Sequence, residues 1–158
     1  MKVVSNSTPI ISLASIGQIG LLPQLFGMIY IPREVYHELK SKRAPGHQEV
    51  DASYFQVKEI QGSAYIGFLL NDLDRGEAEA IMLAKELQAD TLIIDERTGY
   101  MIAKGQRIHV IGTLTVLLMA KKHGLISSVK PLLDDMIRRG RWYSQFVYEN
   151  FLKKIGEL

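Results

Sequence analysis

Two pairs of acids bracket residues 73–96: Glu77 and Glu79 near the start, Asp95 and Glu96 at the end. Between them Ala80, Leu83, Ala84 and Leu87 recur at helical spacing with charge between, and residues 91–94 form a short β-branched apolar run. The first pattern predicts a helix and the second a buried strand. A helix running antiparallel to the strand that follows it brings its own first turn beside that strand's last residue. Glu77 and Asp95, 18 positions apart, are therefore expected to converge at one edge of a sheet. Carboxylates gathered in this way are ligands for hard divalent cations. Each also has a plainer account. Asp74 and Glu77 have the spacing of a helix capping box, Glu79 would favour the positive end of its helix, and Asp95 would cap the loop 96–99.

The surrounding elements follow from the same kind of reading. Val3 and Val4 open a strand that ends in Ser5-Asn6-Ser7-Thr8-Pro9, where Pro9 suits a first helical position with Ser7 or Thr8 as cap. Helices are expected over residues 10–16, 21–26, 33–40, 64–70, 99–104, 113–123, 129–139 and 144–155, and strands over 28–31, 55–60 and 108–111. Strands alternating with helices predict an α/β fold, three layers in α/β/α order around a mainly parallel sheet. Such sheets place their sites beyond the C-terminal ends of the strands. Asn6 and Asp95 both occupy such ends, although Asn6 also reads as a turn residue ahead of Ser7 and Thr8.

The 158 residues suit a single domain spanning 1–158, and 47% hydrophobic content supports a real core. No apolar run is long enough to span a membrane, and no signal-peptide pattern opens the chain. Cysteine is absent, which excludes disulfides and thiolate-ligated metals and suits a cytoplasmic location. A net charge of +2 is not that of an obligate nucleic-acid coat. Dinucleotide, P-loop and nucleophile-elbow fingerprints are missing, and the four histidines lack metal-ligand spacing. One basic and aromatic cluster exists: Arg138, Arg139, Arg141, Trp142 and Tyr143. It could hold single-stranded RNA. The account favoured in so neutral a chain is that the arginines face the end of the preceding helix while Trp142 packs.

Taken together, Gly76-Glu77-Ala78-Glu79-Ala80-Ile81, Ile94-Asp95-Glu96, Pro9-Ile10-Ile11, Ile31-Pro32 followed by Val35-x-x-Glu38-Leu39, Val110-x-Gly112-Thr113-Leu114 and Lys130-Pro131-Leu132-Leu133-Asp134 follow one another in a familiar order. In that order and spacing the chain resembles the PIN-domain superfamily of metal-dependent ribonucleases, as found in VapC-like toxins, over nearly its whole length. The resemblance implies a Mg²⁺- or Mn²⁺-dependent endoribonuclease acting on single-stranded or structured RNA, with Glu38, Glu77 and Asp95 as catalytic metal ligands. Asn6 stands as a neutral fourth contact where the family usually has an acid, and Arg97 stands where many members add another. Ser7 and Thr8 would orient water or ligand, with Glu79 and Glu96 as supporting acids. An RNA substrate, bound in part by Arg138, Arg139 and Arg141, a small antitoxin protein and a homodimer are implied in the same way. Read locally, Glu38 pairs with Lys42 one helical turn on. Two other functions stay open: a catalytically weak RNA- or protein-binding module, and a phosphatase-like enzyme, which a nucleotide-monoester assay would reveal.

Overall fold

The structure is a computed structural model that describes residues 1–62 and 66–158. Its sheet is wholly parallel and, among the described residues, has five strands: β1 (Val3–Ser5), β2 (Ile29–Pro32), β3 (Phe55–Lys58), β4 (Thr91–Ile93) and β5 (Val110–Ile111). Their spatial order is β3-β2-β1-β4-β5. The chain therefore winds outward from β1 through β2 to β3, then crosses back to the other side of β1 for β4 and β5. In register, Val3 faces Ile29 on one side and Thr91 on the other, and Ser5 faces Ile93.

The strands are short, and the side chains of β1, β2, β4 and β5 are largely buried, most of them alternating between two cores. Val3, Ile29, Ile31, Ile93 and Ile111 enter one core. Against them pack α1 (Ser7–Ser15), α2 (Leu21–Phe26), α3 (Arg33–Ser41), α7 (Thr113–Lys122), α8 (Lys130–Arg138) and α9 (Gln145–Lys154), through residues such as Ile10, Leu22, Val35, Leu117, Leu133 and Leu152. Val4, Leu92, Ile94 and Val110 enter the other core, covered by α4 (Ile66–Leu69), α5 (Arg75–Glu86) and α6 (Arg97–Gly105). This is the expected three-layer arrangement. The helix expected over 64–70 lies partly outside the described residues.

Two helix starts differ from expectation in ways that matter for the site. Helix α1 begins at Ser7, two residues before Pro9, and its N-cap is Asn6 rather than Ser7 or Thr8. The Asn6 side chain accepts no capping bond from the helix. Helix α6 is capped by Glu96, whose Oε2 accepts from Gly99 N at 2.7 Å. The expectation that Asp95 caps this loop is thus corrected. Strand alternation sets Asp95 on the face of Ile93, away from α6, and leaves Glu96 to cap. Among the described residues no helix is long and apolar enough to cross a membrane.

Candidate active site

The chain reverses its winding direction between β1 and β4, so the crevice of a parallel sheet opens at their C-terminal ends. Asn6 follows β1 there and donates its backbone N–H to Ile93 O on β4 at 2.9 Å, which locks the two strand ends together. Asp95 leaves β4 on the same end. The Asn6 side chain is buried and its Oδ1 has no hydrogen-bond partner among the described residues.

Glu77 reaches this end from α5. Asp74 caps that helix by accepting from Glu77 N at 2.8 Å, as the capping spacing predicts. Glu77 is itself 9% exposed, and its Oε2 is buried without a donor. Burial first, then the carboxylates of Asp74 and Glu96, push the Glu77 carboxyl up to about 9. Glu96 moves the other way. Burial would raise it, but bonds from the Gly99 and Thr98 backbone outweigh that and hold it below the usual carboxylate value. Gly99 lets these groups approach: a Cβ there would sit 2.7 Å from Ile94 Cδ1 and 3.3 Å from Glu77 Oε2. The antiparallel helix–strand pair thus brings Glu77 beside Glu96. Asp95 is carried to the opposite face.

On that face Asp95 is fully engaged. Thr113, first residue of α7, donates its backbone N–H to Oδ1 at 2.7 Å and its hydroxyl to Oδ2 at 2.5 Å. Gly112 makes the approach possible, since a Cβ there would lie 2.8 Å from Asp95 Oδ1. The remaining partner is Arg141, from the loop between α8 and α9. Its Nη1 donates to Asp95 Oδ2 at 2.9 Å and to Ser12 Oγ of α1 at 3.3 Å. The pair is well removed from water, with side chains 19% and 8% exposed. The guanidinium also lies over the Tyr143 ring, 4.7 Å from its centroid. The Tyr143 hydroxyl is buried without a partner among the described residues, and burial and the Asp95 charge push its ionisation upward.

Other expected site residues lie further from this pair. Glu38 sits beside the start of α5, since a Cβ on Gly76 would be 3.5 Å from its Oε2, and it pairs with Lys42 at 3.1 Å. Glu79 turns toward α3, accepting from Arg75 Nε at 3.0 Å and Glu34 N at 3.4 Å. Ser7 is buried and Thr8 half-buried at the head of α1. Arg138 and Arg139 point into solvent and share Asp135. Trp142 does not pack as the favoured account of the basic cluster required; it is 78% exposed. Among the described residues no three acidic or histidine side chains are gathered as a metal site. Sequence reasoning missed Thr113 and Ser12 as partners; the Gly112-Thr113 pair after a strand was the available signal for the first.

A doubly wound parallel sheet with acids and an asparagine at its switch point defines a class, the small α/β domains that work at their strand ends. Comparison with known proteins narrows it. The family model described as "DUF3368: PIN domain" matches residues 2–157, and the chain belongs to that family. Among solved structures it is similar to a PilT N-terminus domain protein from the hyperthermophilic archaeon Sulfolobus solfataricus P2. That match has a TM-score of 0.55 and 18% identity, over 76% of this chain and 93% of the other. No curated protein matches.

Proposed function

We propose that the chain is a Mg²⁺- or Mn²⁺-dependent ribonuclease that cleaves single-stranded RNA at the ends of β1 and β4. The observation that carries this reading is the pair of buried, donorless oxygens, Asn6 Oδ1 and Glu77 Oε2, on elements that border the switch point. A buried oxygen without a donor is costly, and a carboxyl held neutral by burial and by two acids is one that a cation would ionise.

The donor set fits a hard divalent ion, being all oxygen. Asn6, Glu38, Glu77 and Asp95 would hold it only if Asp95 left Arg141 and turned from the face of Ile93 toward Glu77 across the end of β4. The ion supplies charge neutralisation on phosphate and an activated water. The chain's own groups do the rest. Thr113 holds the Asp95 carboxylate beside the start of α7 through two bonds in the metal-free arrangement, and Asp74 fixes the first turn of α5 that carries Glu77. Arg141, freed from Asp95, is placed to pair with a phosphate oxygen. The small antitoxin and the homodimer belong to the same proposal and are checked by copurification and light scattering.

A second reading is favoured by the Arg141–Asp95 pair and the neutral Asn6: a module that binds RNA and cleaves it weakly or not at all. One experiment separates the two. A labelled single-stranded RNA is incubated with the wild-type protein and with Asp95→Ala, each with Mn²⁺ and with chelator. Mn²⁺-dependent cleavage that the substitution abolishes supports the nuclease. RNA retained uncleaved by both proteins supports the module.

A further inference from the structure

An open hollow of about 470 Å³ lies between α8 and α9, lined by Asp134, Ile137, Trp142, Tyr143, Gln145 and Tyr148. We infer that it is a base-binding subsite that takes an unpaired guanine of single-stranded RNA, stacked on Trp142 and bonded to Asp134. This rests on the reading of the chain as an RNA-acting protein.

The first argument is exposure. The only tryptophan in the chain is 78% exposed, and Phe146, four residues on, is 76% exposed. Indole and benzyl groups of this size are ordinarily covered, and stacking with a base covers an aromatic face without requiring a second folded surface. The second is polarity. The hollow is not an apolar groove. Asp134 Oδ1 accepts from the Tyr148 hydroxyl and Oδ2 from Lys130 Nζ at 2.8 Å, which leaves each oxygen a further lone pair. Those bonds outweigh burial and hold Asp134 ionised, so it only accepts. Guanine presents two adjacent N–H donors on its Watson–Crick edge, which match two carboxylate oxygens. Uracil presents one donor between two carbonyls that the carboxylate would repel. Gln145 gives one amide N–H to Glu149 Oε1 at 2.9 Å, which leaves its carbonyl oxygen and second N–H for the base.

The third argument is position. Tyr143 forms a wall of the hollow and carries the Arg141 guanidinium on its ring, and Arg141 touches Asp95. Consecutive residues thus face opposite ways, Arg141 inward to the strand ends and Trp142 outward. Arg138 and Arg139, exposed on the last turn of α8 and just after it, lie close in sequence to Trp142 and could pair with the phosphates of a strand bound there.

Because Trp142 is the sole tryptophan, its emission reports on this hollow alone. The protein, in chelator to prevent cleavage, is titrated with GMP, UMP, an eight-nucleotide oligo-U, and the same oligomer with one central G. GMP should quench the emission saturably, and the G-containing oligomer should bind about tenfold more tightly than oligo-U, the worth of a charge-assisted contact. Asp134→Asn should cut that preference below about threefold. Trp142→Ala, at a position too exposed to unfold the chain, should weaken the G-containing oligomer about tenfold by anisotropy. Equal binding of both oligomers, or no quenching by any nucleotide, overturns the proposal. So does an emission shift on dilution without nucleotide, which would mean that a second copy covers Trp142. Mn²⁺-dependent cleavage without quenching refutes the subsite and keeps the nuclease. Saturable, G-selective quenching without cleavage keeps the subsite and refutes the nuclease.

Discussion

Glu77 offers the sharpest test of whether the strand ends are built for a cation. Its carboxyl ordinarily ionises near 4.5 and is pushed up to about 9 by burial and by Asp74 and Glu96. The folded protein therefore keeps a proton on Glu77 across a window in which the unfolded chain has lost it. Stability is complete below about 4.5 and falls as pH rises toward 9, by about 1.4 kcal/mol per pH unit for one proton. At pH 7 the loss is on the order of 3 kcal/mol, a large share of a small domain's stability. Glu77→Gln keeps the shape and removes the titration. In chelator the variant should match the wild type near pH 4.5. It should be more stable by about 2–3 kcal/mol at pH 7, with a further gain at pH 8.5. With Mn²⁺ the order should reverse, because the ion ionises Glu77 and stabilises only the wild type. Urea denaturation at three pH values, with and without Mn²⁺, measures both halves. Parallel pH profiles for the two proteins, or a less stable variant at pH 7 in chelator, would refute the argument and leave Glu77 as a capping residue.

Arg141→Gln should cost about 2–3 kcal/mol in chelator, less than a fully buried pair because Thr113 keeps its two bonds to Asp95. Mn²⁺ at about a hundred times its Kd should recover roughly that amount; a loss in urea denaturation that Mn²⁺ leaves unchanged makes Arg141 structural. Asn6→Asp should tighten Mn²⁺ binding by about tenfold or more and lower metal-free stability, since it adds a charge beside existing acids. Calorimetric titration checks the first part and thermal melting the second. Gly112→Ala places a methyl group 2.8 Å from Asp95 Oδ1. It should cost about 1–3 kcal/mol by overpacking and abolish Mn²⁺-dependent cleavage, whereas Gly20→Ala, where a Cβ meets nothing within 4 Å, should leave cleavage intact.

Much of the architecture was legible because its signals are local. The β-branched runs at 3–4, 29–31 and 91–94 mark the strands, and Asp74 with Glu77 marks the start of α5. The site was legible only in part. Period-two alternation assigns Asp95 to the face of Ile93 and Glu96 to that of Ile94, so Glu96 caps α6 and Asp95 does not. That geometry was available in the chain, but the acidic pair read as one cluster. The start of α1 shifted because Asn6 caps with its backbone conformation alone, which no side-chain preference reveals. The Arg141–Asp95 pair joins residues 46 positions apart and has no local signature, since only the packing of α8 and α9 against the sheet carries the arginine inward. The near-neutral charge of the chain favours packing of Trp142 over an RNA-binding cluster, but it is the neighbouring Arg141 that turns inward, and Trp142 is exposed.

The strand order has a consequence for how the protein is made. β1 is the centre of the sheet, yet its partner β4 begins at Thr91, and Asn6 meets Ile93 only across that late pairing. A chain leaving the ribosome can assemble β1, β2 and β3 early, with one flank of β1 bare. The acids stay apart until the second half arrives, and Asp95 must then wait for Arg141. Synthesis at about 5–20 residues per second makes that a delay of seconds. In the nuclease proposed above, such a delay would keep the nascent chain harmless to the message and the ribosome producing it.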